Sequence, residues 1–226
     1  GKIGEPLVFK WLYQNIPFMT VSESTKKDLE LFGVKKITVV HNGVTLPKKL
    51  PKVIKEKVFT VIYLSALAKD KGIEDALQVF NLIKHKILKA KFWVVGKGNP
   101  DYVLYLQNLC PEAKFWGFVG EELKFELLAR AHALLNPSIH EGWGLVNIEA
   151  NSMGIPVVGY RVSGVMDSVI NGETGILVEK GDVKNLADAI SKTKLKKDWS
   201  QSCKKWAGSF SWDKSIKKSS VLITKI

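Results

Sequence analysis

The sequence of 226 residues is poor in cysteine and arginine, and it contains no long apolar run. Its two cysteines, Cys110 and Cys203, form no disulfide framework and no metal-binding cluster, so ordinary thiols are expected. The best apolar run, Val58 to Ala68, is interrupted by Thr60 and Ser65 and is far shorter than the roughly 20 residues that span a bilayer. These absences exclude a disulfide-rich scaffold and predict no membrane-spanning helix.

Positive charge is abundant, but arginine contributes almost none of it. The formal charge of +12 arises from 34 basic and 22 acidic residues, and only Arg130 and Arg161 are arginines. Specific reading of nucleic-acid bases depends on the paired donors of arginine, so specific nucleic-acid binding is disfavoured. A solvated lysine-rich surface is the favoured interpretation. The alternative is contact between the run Lys192 to Lys205 and an anionic membrane or a phosphate-bearing lipid.

The remaining composition is that of a globular protein, with 46% hydrophobic and 25% charged residues. Residues 1–6 hold one lysine and no apolar signal-peptide core. Cytoplasmic residence is therefore expected, with peripheral association at a membrane as the alternative.

Apolar runs of strand length alternate with amphipathic segments of helix length. This alternation predicts the α/β class, with a Rossmann-like doubly wound parallel sheet, flanking helices and a C-terminal helical tail. Ser22 and Asp182 precede two of the helices and are expected N-caps. Strands are predicted at 18–21, 37–40, 58–64, 92–95, 114–116, 133–136, 156–159 and 175–178, and helices at 22–32, 73–88, 101–109, 121–130, 145–152 and 182–191.

The segment Pro137 to Ala150 is the most informative part of the chain. Two glutamates, Glu141 and Glu149, lie eight positions apart on either side of a turn with two glycines that opens a helix. A helix N-terminus presents unpaired N–H groups and a positive dipole end, which favour a phosphate. Because carboxylates repel phosphate, the two glutamates are better suited to hydroxyl groups beside it. The pattern predicts a nucleotide sugar as ligand.

Together with Gly154 to Tyr160 and Asn171 to Val178, this segment resembles the donor-binding, C-terminal half of the group-one (family four) retaining glycosyltransferases of the GT-B fold. The resemblance covers about Thr20 to Ile190. It implies transfer of a hexosyl group from a nucleoside-diphosphate sugar to a glycan or lipid-linked acceptor, with retention. It also implies no cofactor and no metal, and the histidines show no ligand spacing that would suggest one.

The resemblance assigns roles to individual residues. Glu141 would contact hydroxyls of the donor sugar, and Glu149 would hold the ribose. Lys71 would neutralise the diphosphate. Backbone N–H groups would bind the same diphosphate from Gly142, Trp143, Gly144, Leu145 and Val146. Weaker matches place Gly96 in a ligand-binding turn, the backbone at Trp116 and Phe118 beside the nucleobase, and Ser163 near the sugar.

Two positions depart from the pattern of the family, and the first is Ser65, which stands where the family usually has a glycine. In the segment Leu64 to Gly72, Lys71 and Gly72 match, but Ala66 stands where the family has an arginine that neutralises the diphosphate. Loss of a cation there weakens stabilisation of the leaving group, by about 2–4 kcal/mol on the scale of oxyanion donors. Lys69 is a candidate replacement, although lysine lacks the bidentate fork of arginine.

The resemblance also implies a division of the chain. Residues 1–45 would be a remnant of the N-terminal acceptor domain with the interdomain segment, and 46–57 a linker or surface loop. Residues 58–195 would form the nucleotide-sugar-binding domain, and 196–226 the C-terminal helices. Most of an N-terminal domain would then be missing, and the chain alone would be incomplete for catalysis.

Two other functions remain open from the sequence. The first is a non-catalytic nucleotide-sugar-binding module or pseudoenzyme, which Ala66 favours. The second, less favoured, is a nucleic-acid or anionic-surface binder, which only the charge of +12 supports.

Overall fold

The computed structural model describes residues 11–13, 15–47, 49, 51, 53–194 and 199–223. Parts of the predicted segments 1–45, 46–57, 58–195 and 196–226 lie outside these ranges. The chain divides into two compact units, one comprising Gly1–Thr45 with Phe210–Ile226 and the other Leu46–Ser209. The predicted helical tail is thereby shared between the two units.

The described part of the chain alternates between strands and helices as predicted. The strands are β1 (Phe18–Thr20), β2 (Ile37–Val39), β3 (Thr60–Leu64), β4 (Lys91–Val95), β5 (Lys114–Gly117), β6 (Ala133–Asn136), β7 (Val157–Tyr160) and β8 (Gly175–Val178). The helices are α1 (Glu23–Leu31), α2 (Ile73–Ile83), α3 (Pro100–Leu109), α4 (Glu121–Arg130), α5 (Leu145–Ser152), α6 (Val165–Ser168), α7 (Val183–Thr193), α8 (Trp199–Ala207) and α9 (Trp212–Ile223).

The larger unit is built on a six-stranded parallel sheet in the order β5-β4-β3-β6-β7-β8. The chain winds outward from β3 in one direction and from β6 in the other. This is the doubly wound Rossmann order, so the predicted fold class is confirmed. In such sheets a crevice opens at the carboxyl ends of the strands where the winding reverses, and here that point lies between β3 and β6.

Both faces of the central strands are buried, which explains their continuous apolar sequence. Val61 and Tyr63 of β3 point into a core that includes residues of α2, α3 and α7. Ile62, between them, points to the opposite face, into a second core that includes residues of α4, α5 and α6. The period of two along a strand thus assigns alternate residues to two helical layers.

Side chains at the N-termini fix several helices where the sequence predicts. Ser22 Oγ accepts from Thr25 N at 3.1 Å, and Asp182 Oδ1 accepts from Asn185 N at 3.0 Å, which confirms both predicted N-caps. Asn99 caps α3 in the same way, ahead of Pro100 at the first helical position. The predicted helix at 73–88 ends earlier, at Ile83.

Helix α8 packs within the larger unit. Trp206 Nε1 donates to Ser168 O at 2.9 Å, and Trp199 Nε1 donates to Thr193 O at 3.1 Å. Buried Cys203 lies between them in the sequence, with Sγ 3.6 Å from Thr174 O. The aromatic residues of this helix are therefore packing residues, as their spacing predicts.

The smaller unit contains β1 and β2, which pair in parallel, together with α1 and α9. Trp212 Nε1 on α9 donates to Thr45 Oγ1 at 3.0 Å. Ser215 Oγ, one turn later, donates to His41 O at 2.5 Å. These contacts join α9 to the segment that follows β2.

The glycine after the short 3-10 turn at Lys69–Lys71 is required for two separate reasons. Gly72 has φ 68°, and a Cβ there would overlap the carbonyl oxygen of Pro137. We expect Gly72→Ala to lower the free energy of unfolding by about 3 kcal/mol, from backbone strain plus overlap. Chemical denaturation measures this change.

Two controls separate these causes. Gly117 has φ 69° but open space around it, so Gly117→Ala should cost only about 1 kcal/mol. Gly142 has open space and no left-handed φ, so Gly142→Ala should change stability by less than about 0.5 kcal/mol. Equal effects of all three substitutions would contradict the contact with Pro137.

Candidate functional site

A cavity of about 550 Å³ opens at the carboxyl ends of β3 and β4, beside the winding reversal. The turns after these strands, the start of α4 and one side of α5 form its walls. The lining residues are Leu64, Ser65, Ala66, Val95, Gly96, Lys97, Phe118, Val119, Gly120, Glu121, Lys124, Val146 and Glu149. Its volume is within the range of small-molecule sites.

The turns after β3 and β4 are locked together at this cavity. Ser65 N donates to Val95 O at 3.1 Å, and Leu67 N donates to Lys97 O at 2.9 Å. A Cβ at Gly96 would overlap the carbonyl oxygen of Ser65, so only glycine permits this approach. The predicted ligand-binding turn at Gly96 and the segment containing Ala66 therefore form one wall.

Glu149 lies in the opposite wall, where an ion pair holds it. Lys124 Nζ on α4 is 2.7 Å from Glu149 Oε1 on α5 and 2.8 Å from Glu121 Oε1. The side chains of Lys124 and Glu149 are only 14% and 16% exposed. The ammonium also lies 4.8 Å from the ring centroid of Phe125.

Burial sets the protonation behaviour of this pair. Loss of hydration raises the pKa of Glu149, and the hydrogen bond and charge of Lys124 oppose that rise. Burial lowers the pKa of Lys124, but hydrogen bonds to Glu121 and Glu149 outweigh it and raise the pKa overall. The charged lysine and the partly desolvated carboxylate thus support each other.

The start of α5 presents donors. Gly144 is the N-cap residue, and Leu145 and Val146 open the first turn. Within the described part of the chain, the backbone N–H groups of Gly142, Gly144, Leu145 and Val146 donate no hydrogen bond to another residue. Val146 lines the cavity. The side chain of Trp143 is buried, with 3% exposed.

A buried chain of polar groups fixes this helix start. Asn136 Nδ2 at the end of β6 donates to Asn147 Oδ1 at 2.8 Å, and Asn147 Nδ2 donates to Ser168 Oγ at 2.8 Å. Ser168 Oγ in turn donates to Gly164 O at 2.9 Å. These hydrogen bonds connect β6, α5 and the turn before α6 in an unbroken series.

Glu141 and Lys71, predicted separately, are brought together by the fold. Lys71 Nζ is 3.3 Å from Glu141 Oε2 and donates to His140 O at 3.0 Å. Ser138 Oγ donates to the same carbonyl oxygen at 2.9 Å. None of these residues lines the cavity itself, but His140 and Glu141 immediately precede the turn that opens α5, and Lys71 is bound to both.

Ser163 also lies beside this segment. It is exposed, and a Cβ on its neighbour Gly164 would overlap the carbonyl oxygen of Glu141, so the two backbones are in close contact. The structure thus places Ser163 next to the turn that carries Glu141.

The predicted nucleobase segment follows β5. Phe118 is 76% exposed and lines the cavity, with Lys97 Nζ 5.7 Å from its ring centroid. Trp116 is turned away from the cavity lining and packs edge-on against Trp93, with ring centroids 5.7 Å apart. Only the backbone at Trp116 remains a candidate for ligand contact, as the sequence predicts.

Lys124 is the residue of this region that the sequence did not indicate. On an amphipathic helix its charge is typical of a solvated face, and nothing in the spacing relates it to Glu149, 25 positions later. The buried asparagines were also missed. Asn136 at the end of an apolar strand was the available signal, because a polar residue in that position requires a partner.

Lys69 and Lys97 differ in their position relative to the cavity wall that contains Ala66. Ala66 is exposed at the cavity wall, and Lys97 lines the same cavity, whereas Lys69 does not. Within the described part of the chain, neither Lys69 nor Lys97 has a carboxylate partner. Lys97 is therefore better placed than Lys69 to add positive charge to the cavity.

The described residues offer neither a cluster of metal ligands nor a membrane-spanning helix. They contain no group of three or more histidine, cysteine, aspartate or glutamate residues arranged to hold a metal ion. They also contain no helix of the length and apolarity that crossing a membrane requires.

Comparison with known proteins identifies close relatives in sequence. The profile of the family described as "Glycosyl transferases group 1" matches residues 47–208. The capsular polysaccharide biosynthesis glycosyltransferase CapM of Staphylococcus aureus is 32% identical over 198 residues, which cover 77% of this chain and 51% of CapM. A glycogen synthase of Mycobacterium tuberculosis is 29% identical over 196 residues, covering 81% of this chain and 47% of the synthase. The chain spans about half the length of these relatives.

Solved structures share the fold. Anabaena HepE, solved in complex with UDP-glucose, aligns with a TM-score of 0.82 at 20% identity, over 99% of this chain and 68% of HepE. Sucrose-phosphate synthase from Thermosynechococcus elongatus aligns with a TM-score of 0.82 at 21% identity, over 98% of this chain and 61% of the synthase. The fold is thus the one that the sequence predicts for the GT-B glycosyltransferases.

The buried chain of polar groups at the helix start yields a prediction about stability. Asn147→Ala removes the acceptor of Asn136 Nδ2 and the donor to Ser168 Oγ in a buried setting. We expect the free energy of unfolding to fall by about 2–3 kcal/mol, measured by chemical denaturation.

The matched control is Asn185→Ala, because Asn185 Nδ2 donates to Asp182 Oδ2 at 2.7 Å on the surface. Its loss should cost less than about 0.5 kcal/mol. A similar small cost for Asn147→Ala would show that the buried chain does not hold the helix start in place.

Proposed function

The chain belongs to the group 1 glycosyl transferases, and on this premise we propose that it binds the nucleoside-diphosphate sugar whose hexosyl group the whole protein transfers, with retention. The observation that carries the proposal is the cavity at the winding reversal. It joins Glu149 and Val146 of α5 with Gly96 and Phe118, residues from three separate segments that were each predicted for donor binding. Their convergence on one cavity is unexpected for surface residues without a shared role.

The ribose and base fit the cavity. Glu149 offers a carboxylate to the two ribose hydroxyls, in a wall where burial strengthens such hydrogen bonds. Phe118 and the backbone of residues 118–120 offer an apolar surface and a polar edge to the base, and the backbone of Trp116 would lie beside it. The unpaired N–H groups at Gly142, Gly144, Leu145 and Val146 would then bind the diphosphate.

Lys71 and Glu141 suit the sugar end of the donor. Lys71 is ion-paired with Glu141. A bound diphosphate carries more negative charge than this carboxylate and competes for the ammonium. Glu141 is then available to accept hydrogen bonds from sugar hydroxyls. In the reaction, Lys71 and the helix start would stabilise the charge that develops on the departing nucleoside diphosphate. We propose no metal and no cofactor for this step.

The relatives support this class of donor and suggest the class of acceptor. HepE was solved with UDP-glucose, and the pneumococcal O-GlcNAc transferase GtfA with UDP and GlcNAc. CapM is a glycosyltransferase of capsular polysaccharide biosynthesis. We propose a glycan or lipid-linked acceptor for the whole protein, and a cytoplasmic location, with peripheral contact to an anionic membrane as a secondary possibility. The acceptor-binding residues would belong mainly to an N-terminal domain outside this chain.

A non-catalytic nucleotide-sugar-binding module is the second candidate. It is favoured by Ala66, which contributes no charge to a wall that faces the proposed diphosphate. Both candidates predict nucleotide binding, and only the transferase predicts release of the nucleoside diphosphate by the whole protein.

The first test is ligand binding. Calorimetry with UDP, GDP, ADP and their sugars should show binding of one nucleotide series by the full chain. Glu149→Ala should weaken that binding by about 1–3 kcal/mol, because desolvated hydrogen bonds to the ribose are lost. The control is Glu126→Ala, since Glu126 is also ion-paired, at 2.9 Å from Arg130, but does not line the cavity. Absence of binding by the unaltered chain, or equal affinity after Glu149→Ala, would contradict the proposal.

The second test restores the missing cation. Ala66→Arg should strengthen nucleoside-diphosphate binding about tenfold, since a charge-assisted hydrogen bond contributes about 1.5 kcal/mol. Nucleoside binding should not change, because it lacks the phosphates. Leu88→Arg adds the same charge at a position 85% exposed and outside the cavity lining, and should have little effect. Equal gains from both substitutions would point to net charge rather than to the cavity wall.

A further inference from the structure

We propose that Lys124 is a positioning residue that holds Glu149 ionised and correctly oriented for the ribose diol. This inference rests on the proposed function, because it concerns how the donor site recognises a ribonucleotide. It adds a residue that neither the sequence motif nor the cavity alone singles out.

The position of Lys124 beside Glu149 is fixed by several contacts. Lys124 on α4 and Glu149 on α5 form an ion pair at 2.7 Å between two different helices that wall the cavity. It is the least exposed ion pair among those that join described residues. The contacts of Lys124 with Glu121 and the ring of Phe125 restrict where its ammonium lies. Lys124 is thus a fixed donor, and it fixes the glutamate.

The two oxygens of the Glu149 carboxylate differ in their contacts. Lys124 donates to Oε1, whereas no described residue donates a hydrogen bond to Oε2. A carboxylate held through one oxygen can offer the other, with a defined orientation, to hydroxyl donors. The two neighbouring hydroxyls of a ribose are such donors, and a 2′-deoxyribose lacks one of them. We therefore expect Lys124 to affect discrimination between ribose and deoxyribose.

The charged groups around Glu149 affect the pKa of its carboxyl group. Glu149 is the sole titratable residue of α5; Lys124 and Glu121 face it from α4, and Lys97 lines the same cavity. Burial and the charge of Glu121 raise the pKa of Glu149, whereas Lys124 lowers it. Removal of Lys124 would leave a buried carboxyl group that keeps its proton to higher pH. A protonated carboxyl is a poorer acceptor. As the pH falls, a chain without Lys124 would therefore lose ribose binding at a higher pH than the unaltered chain.

A purely structural ion pair is the competing explanation. Buried ion pairs contribute little net stability, because the loss of hydration offsets the attraction between the charges. A structural role would change stability alone. A positioning role would also change the ribose preference and the pH at which binding is lost, and these two readouts distinguish the explanations.

The experiment compares ribonucleoside and 2′-deoxyribonucleoside diphosphates by calorimetry on the full chain between pH 5 and 8. UDP, GDP and ADP are each paired with their deoxy analogues. For Lys124→Met we expect about tenfold weaker binding of the ribonucleotide at pH 7, and a ribose preference reduced to near unity. As the pH is lowered, Lys124→Met should lose affinity for the ribonucleotide at a higher pH than the unaltered chain does; this fall in affinity is the acid limb of the profile. Lys124→Arg keeps the charge and should restore most of the preference.

The control is Lys84→Met, because Lys84 forms an ion pair of the same length, 2.7 Å, with Glu112 outside the cavity lining. It should leave affinity, preference and pH profile unchanged. If Lys124→Met fails to fold, Lys124→Gln answers the same question, because it keeps a donor and removes only the charge. Its acid limb should still move to higher pH.

The outcomes separate this inference from the proposed function. If the unaltered chain binds no nucleoside diphosphate, the proposed function fails and the inference fails with it. If it binds ribonucleotides preferentially, but Lys124→Met or Lys124→Gln keeps the same preference and the same acid limb, the proposed function stands and the role of Lys124 is overturned.

Discussion

The meeting of two loops at the carboxyl edge of the sheet is the constraint on which the site depends. The turns after β3 and β4 approach so closely that the carbonyl oxygen of Ser65 occupies the space of a Cβ at Gly96. The sheet winds in opposite directions from β3 and β6, so helices leave this edge on both sides and a crevice remains. The cavity is therefore a consequence of topology, and the side chains that line it decide its chemistry.

Charge in this region is arranged in pairs. Lys71 is joined to Glu141, and Lys124 to Glu149 and Glu121. Each acid proposed for a donor hydroxyl thus has its own cation, and Lys124 opposes the rise that burial causes in the pKa of Glu149. The overall charge of +12 contributes little to this arrangement, because the relevant interactions are short and largely buried.

Sequence and structure agree best where one element carries the signal. Glu141, Gly142, Gly144 and Glu149 lie within a single turn and helix, so their spacing predicted the helix that begins after Gly144. The order of strands and helices was also readable, because the central strands are apolar on both faces and most helices of the larger unit on one. Lys124 could not be found in this way, since its relation to Glu149 depends on how α4 packs beside α5.

The sequence alone determined the α/β class, the main helix boundaries and the family pattern, because periodicity, caps and glycine turns are local properties of the chain. Tertiary structure decided which of those residues share a cavity, which lysine pairs with which acid, and that the side chains of Trp116 and Trp143 are packed while Phe118 is exposed. These features depend on distances between residues far apart in the chain. Such distances are fixed only when both faces of the sheet are covered and the helices take their final positions.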